Sequence, residues 1–348
     1  MYLCLMPYLE RINELLYPAA EFDYHAVDLF AGCGGLSLGF ESVGIDTTGF
    51  EMDPYAVQTY NVNLHGRCHQ RKLTPEVDFL DLVTQHTDIV IGGPPCQPFS
   101  VGGLQMGLED ARDGFPIFIN TVAALQPRMF LFENVRGMLY TNKWYLNQIV
   151  TELRGLGYIV EAKLFNVVNY GIPQNRERVI VVGHRGGYQY PQPQRHKVTA
   201  GEAVGDTMNQ LLDESKLLTA SQDAYVKRYE IASKCVNPRD LYADRPSRTV
   251  TCRNLAAATG DMHRVRLPDG RRRRLVVREG ARIQSFPDAF QFQGPEAKQF
   301  YQIGNAVPPL FAYQLAQSIR NVLDVPDVYT AEQIIEMADQ FVGNPTLL

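Results

Sequence analysis

The chain opens on an amphipathic stretch, MYLCLMPYLERINELLYP, which reads as a short helix, and then alternates short apolar runs with helical periods. His25 to Phe30 reads as a strand and Leu36 to Val43 as the helix after it. Ile45 to Glu51 is a strand, and Pro54 to Leu64 a helix with proline at its first position, where no N–H is needed. Asp88 to Ile91 and Met129 to Glu133 are strands, followed by helices over Gly114 to Leu125 and Lys143 to Leu156. Tyr158 to Phe165 and Arg178 to Gly183 complete the set. This alternation predicts an α/β fold, a doubly wound and mostly parallel sheet with helices on both faces. Ligands of such sheets gather beyond the carboxyl ends of the strands.

The rhythm breaks after Gly183. YQYPQPQR, residues 188–195, is a loop or linker, and the next hundred residues are basic and irregular. LFAYQLAQSIRNVL, residues 310–323, is again a good amphipathic helix. The pattern therefore predicts a sheet domain over residues 1–187 and a small basic domain over 188–297. A C-terminal segment, 298–348, would return to the first domain.

Composition changes little in this picture. Of 348 residues 45% are hydrophobic and 20% charged, as in ordinary soluble globular proteins. No apolar run is long enough to span a membrane, and the N-terminus lacks the marks of a signal peptide. Six cysteines contain no CxxC pair, which points to neither a metal site nor a disulfide framework and suggests a reducing cytoplasm. Charge changes more. The net of −5 argues against a polyanion partner, but residues 185–298 hold 20 Lys and Arg against 13 Asp and Glu. One basic segment on an acidic body is the asymmetry expected of a nucleic-acid binder.

Two turns carry candidate chemistry. DLFAGCGGLSLGFES joins a strand to a helix through glycines. Gly32 and Gly34 fit a dinucleotide G-x-G-x-x-G, but Ser37 stands at the third position. Glu51 ends the next strand, where a carboxylate can accept hydrogen bonds from ribose hydroxyls. The turn suits a nucleoside; S-adenosylmethionine fits one without phosphates, and NAD is the competitor. The second turn, GGPPCQPFS at residues 92–100, sets the lone thiol of Cys96 at the apex of a stiff bend just past a strand.

FAGCGG, Glu51, GGPPCQPFS, ENVRG, QNRERVIVVG, VREGARIQSFP and QIGNAVPP stand in an order and spacing that resembles the DNA (cytosine-5) methyltransferases, over residues 25 to 323. The resemblance implies a Rossmann-like methyltransferase fold using S-adenosylmethionine, with the basic segment as target-recognition domain. It implies Cys96 as the nucleophile that adds to carbon 6 of cytosine, because carbon 5 alone is a poor nucleophile. Glu133 would protonate ring nitrogen 3, and Arg178 would meet the cytosine carbonyl oxygen. It carries the cofactor to Phe30, Gly32, Gly34, Glu51, Met52, Pro94, Asn305 and Val307. The family's acidic residue near the end of the third strand has no counterpart in Arg71-Lys72-Leu73-Thr74.

The glycine-bearing stretch after Cys96 resembles the family's mobile loop, with Ser100 and Arg112 as phosphate contacts. Double-stranded DNA would be held also by Arg176, Arg239, Arg245, Arg248, Arg253, Arg271 and Arg272, and the target cytosine flipped out of the stack. The expected protein is a cytoplasmic, monomeric bacterial enzyme of the restriction-modification type, without metal or membrane. A transfer-RNA cytosine-5 methyltransferase is the alternative within the same motifs, although its Cys-Phe-Thr signature is missing from the variable region. An inactive DNA-binding homologue is the alternative outside enzymes; intact Cys96, Glu133 and Arg178 argue against it.

Overall fold

A computed structural model describes residues 6–76, 79–83, 85–95, 113–232, 234, 239–256 and 260–325. Cys96, Ser100 and Arg112 lie outside the described residues. The chain divides into two compact units, one of residues 18–165, 177–191 and 312–348, the other of residues 1–17, 166–176 and 192–311.

The first unit is built on a seven-stranded sheet of β1 (Tyr24–Leu29), β2 (Ile45–Glu51), β3 (Arg67–Gln70), β4 (Ile89–Gly92), β5 (Met129–Val135), β6 (Ile159–Asn166) and β7 (Glu177–His184). Their order across the sheet is β3-β2-β1-β4-β5-β7-β6. From β3 to β5 every pairing is parallel, and β7 runs antiparallel to β5. The strand order reverses between β1 and β4, which makes the gap beyond their carboxyl ends the place for a ligand. The apolar runs that mark strands in the sequence are the ones the sheet buries: Val27, Leu29, Val90, Phe130, Phe132, Val179 and Val181 share one core with Phe115, Phe118, Leu146 and Ile149 of the flanking helices. Gly39 brings the Gly35–Glu41 helix against the chain at residues 312 and 313, where an added Cβ would lie 2.4 Å from the Tyr313 nitrogen.

The other unit is held by buried polar groups as much as by apolar ones. Arg176 is 1% exposed; its guanidinium donates to the carbonyls of Val250 (2.8 Å) and Ala306 (3.1 Å), with Gly304 at 3.4 Å. Gln174 donates to the carbonyl of Ile283 and accepts from the Val250 amide. Arg11 donates to the Gly171 carbonyl, and the Tyr8 hydroxyl to that of Arg282 (2.6 Å). These bonds explain where the division departs from the expected domain boundaries. Residues 6–17, 166–176 and 298–311 group with the basic segment, to which Tyr8, Gln174 and Arg176 are bonded.

Candidate active site

β1 leads into Phe30, Gly32 and Gly34, all with positive φ (60°, 56° and 85°). Glycine adopts this conformation freely, whereas Phe30 does so under strain, a feature that clusters at ligand sites. The Glu51 carboxylate closes the turn: it accepts from the amides of Gly32 (3.1 Å), Met52 (2.7 Å) and Asp53 (2.8 Å). Met52 beside it is 65% exposed. A Cβ on Gly32 would meet nothing within 4 Å, so the turn faces open space. A carboxylate fixed by amides, an uncovered thioether and an open glycine turn fit a nucleoside with free hydroxyls. Asn305 and Val307 fall in the other unit, as does Arg176, whereas Pro94 lies in this one.

Of the catalytic candidates, Glu133 and Arg178 meet at the ends of β5 and β7. Glu133 on β5 and Arg178 on β7 are both mostly buried, and Arg178 Nε lies 2.7 Å from Glu133 Oε1. The N–H is not directed at that oxygen, which makes the contact an ion pair rather than a hydrogen bond. Asn134, the next residue, donates to the Pro94 carbonyl at 2.9 Å. On the other side Gly114 N–H donates to the Pro95 carbonyl (3.1 Å), and Asp113 accepts from the Phe115 amide and from the Tyr145 hydroxyl. A Cβ on Gly114 would strike the Phe30 ring and Pro95, so Gly114 packs against both. Both stems of the segment that holds Cys96 are therefore anchored, one of them to the strand that carries Glu133. Asn134 and Asp113 were not assigned from the sequence; the motif ENV contains Asn134 but says nothing of its reach.

The described cysteines are different. Burial pushes the Cys33 thiol up to about 12 and those of Cys68 and Cys252 upward as well, which keeps them as unreactive thiols. Among the described residues no cluster of His, Cys, Asp and Glu could hold a metal, and no helix is long and apolar enough to cross a membrane.

The arginines of the other unit need a correction. Arg272 was expected at DNA phosphates, yet it is 7% exposed and bonded to Asp223 and Asp240, with Glu230 nearby. Arg176 is likewise committed to backbone carbonyls. A guanidinium so buried and bonded would have to leave carboxylates or carbonyls unpaired to reach DNA. Arg239 and Arg248 share Asp261 at 3.0 Å each. Arg245, Arg253 and Arg271 remain exposed, Arg245 paired with Asp244 over the Tyr242 ring and Arg271 with Asp269.

Residues 24–321 match the model of the C-5 cytosine-specific DNA methylases. Type II methyltransferase M.AplI of Arthrospira platensis is 51% identical over 92% of this chain and 92% of its own. M.NgoFVII, a Type II methyltransferase of Neisseria gonorrhoeae, is 33% identical over 84% of this chain and 85% of its own. In fold the chain resembles the S. pombe Dnmt2 methyltransferase, with a TM-score of 0.69 over 86% of this chain and 99% of that one at 16% identity.

Proposed function

The chain belongs to the C-5 cytosine-specific DNA methylases, and from that premise we propose that it methylates a flipped-out cytosine in a short double-stranded DNA sequence through a covalent Cys96 adduct. S-adenosylmethionine, when bound, supplies a methyl group on a sulfonium as the electrophile. Glu51 would take its ribose hydroxyls and Met52 its adenine, with Phe30, Gly32, Gly34, Pro94, Asn305 and Val307 as the remaining cofactor contacts.

The Cys96 thiolate adds to carbon 6 of the ring, and the displaced electron pair makes carbon 5 an enamine carbon that can attack. This requires Glu133 to be protonated and released from its pair with Arg178 when the base enters; it then gives ring nitrogen 3 its proton, and Arg178 turns its charge to the carbonyl oxygen, where negative density gathers. Once carbon 5 carries the methyl, solvent water takes its proton, the carbon–sulfur bond breaks to return Cys96 as thiolate, and ring nitrogen 3 gives its proton back to Glu133. The observation that carries this reading is the Glu133–Arg178 pair beside Asn134, which ties the strand of the acid to the turn of the nucleophile. Ser100 and Arg112 would touch phosphates from the loop, and Arg245, Arg253 and Arg271 from the basic unit, with Arg239 and Arg248 available by exchange from Asp261. Methylation of this kind would protect bacterial DNA from a partner restriction enzyme.

Purified protein with tritiated methyl donor should label duplex DNA and not transfer RNA, and bisulfite sequencing should find the label at one cytosine of a fixed sequence. Labelled transfer RNA, or label at no fixed cytosine, overturns the reading. The cofactor assignment predicts that Glu51→Ala weakens S-adenosylmethionine binding by about 1.5–3 kcal/mol, the range for hydrogen bonds to a charged group. Calorimetry showing native affinity would remove Glu51 from the site.

A further inference from the structure

Beneath the glycine turn lies a chain of buried polar side chains with no part in the steps above. Ser37 Oγ is 2.6 Å from Asp28 Oδ2, Tyr60 Oη is 3.0 Å from Ser37 Oγ, Thr47 Oγ1 is 2.5 Å from Tyr60 Oη, and Glu41 Oε1 is 2.5 Å from Thr47 Oγ1. All five residues are almost wholly buried. Hydroxyls have one proton each, so Ser37, Tyr60 and Thr47 supply three protons for four links between two carboxyls. Two bare carboxylates would leave one pair of oxygens facing each other with nothing between them, a costly arrangement out of water. The fourth proton has to sit on a carboxyl. Glu41 also accepts the amides of His65 (2.7 Å) and Gly66 (2.9 Å), which favour it as the anion. That leaves the proton to Asp28; the hydroxyls of Ser37 and Tyr60, which donate toward Asp28 while it is the anion, then turn to donate toward Glu41.

The chain is joined to the cofactor turn by contact as well. The Tyr60 ring is wedged between two glycines: an added Cβ would come within 2.8 Å of it at Gly34 and 2.9 Å at Gly49. Gly34 is in the turn, and Gly49 precedes Glu51 by two residues on β2. Ser37 occupies the third position of the glycine fingerprint, where its hydroxyl replaces close packing with a bond to Asp28.

We propose that Asp28, Ser37, Tyr60, Thr47 and Glu41 form a rail holding one carboxyl proton, and that this proton, through the Tyr60 ring, sets the glycine turn and Glu51 for the cofactor. Tyr60 and Asp28 are thus positioning residues, and the inference rests on the cofactor reading above. Burial raises the Asp28 carboxyl to about 7, and burial raises Glu41 also. The groups facing Asp28 are Ser37, Tyr60, Glu51, Cys33 and Cys68; those facing Glu41 are Thr47, Tyr60, Asp46, His65 and Gly66. Glu51 on β2 and Asp46 add negative charge, which favours keeping the proton. It is present below about pH 7 and lost as pH rises through that value.

The test is titration calorimetry of the full chain with S-adenosylmethionine, from about pH 6 to about pH 8.5, on either side of the Asp28 ionisation. Wild-type affinity should fall as pH rises. Asp28→Asn, whose amide donates to Ser37 as the protonated carboxyl does, should keep the low-pH affinity throughout; the ratio to wild type cancels titration of the ligand itself. Tyr60→Phe keeps the ring but breaks the rail, and should weaken binding about three- to tenfold at low pH, the worth of one net hydrogen bond. Its donor KM should rise with little change in kcat at saturation. Should Asp28→Asn fail to fold, Ser37→Ala breaks the same end of the rail and should lose the pH dependence. Unchanged affinity in Tyr60→Phe, or a pH profile in Asp28→Asn (or Ser37→Ala) that follows wild type, overturns the proposal. A wild-type protein with no affinity for the donor would remove the cofactor reading first and this inference with it.

Discussion

Cys96→Ser should lower methyl transfer by about a thousandfold or more, because adduct formation is what makes carbon 5 nucleophilic and a serine hydroxyl is almost never ionised at neutral pH. DNA and cofactor affinity should stay near native, since oxygen and sulfur occupy similar space and neither ligand is held by that atom. The stems of the turn do not depend on it either: Asn134 holds the Pro94 carbonyl and Gly114 the Pro95 carbonyl. DNA with 5-fluorocytosine at the target gives a positive counterpart. Fluorine cannot leave carbon 5 as a proton does, so the carbon–sulfur bond persists after methyl transfer. Mass spectrometry of the digested complex should place the nucleotide on the peptide that contains Cys96. An adduct on Cys33, Cys68 or Cys252 is disfavoured chemically, because burial keeps these thiols protonated. A Cys96→Ser protein with native turnover would end the covalent mechanism.

Much of the sheet could be read directly. Ile45–Glu51 appears as read, and the other strands of the first half shift by one or two residues at their ends, because each is an apolar run bounded by turn residues. β3 was missed for the opposite reason: in Arg67-Cys68-His69-Gln70 only Cys68 is buried, so an edge strand leaves no apolar pattern. The antiparallel direction of β7 was not legible either, since the apolar run Val179 to Val182 fits a strand running either way. Gly32, Gly34, Glu51, Glu133 and Arg178 stand out by motif, and each takes up a turn or strand-end position in the sheet unit. The Asp28 rail left only one trace in the sequence, an acid inside the apolar run of β1, and its partners lie 9 to 32 residues on. The pairing inside the basic segment was the least legible. Composition counts charges without saying where they point, and the carboxylates that take up Arg264 and Arg272 lie 24 to 49 residues away.

That correction sets the last expectation. In the run Arg271-Arg272-Arg273-Arg274, Arg273 is 0% exposed and bonds through two nitrogens to the buried Glu279, and also to the carbonyls of Gln210 and Thr207. Glu279 in turn accepts the Val276 amide that starts the Val277–Ile283 helix. Arg273→Ala leaves this carboxylate without its cation and should cost about 3–5 kcal/mol, the usual penalty for breaking a buried pair from one side. Arg271 is exposed and paired with Asp269 two residues before it, so Arg271→Ala should change stability by no more than about 0.5 kcal/mol. If Arg271 touches a phosphate, its loss should instead weaken all DNA sequences alike and reduce the salt slope by about one. Replacing Arg273 and Glu279 together with apolar residues of similar volume should recover much of the loss, since no charge is then left unpaired. Urea unfolding midpoints separate these cases. Native stability in Arg273→Ala together with weakened DNA binding would show that this guanidinium, too, faces the duplex.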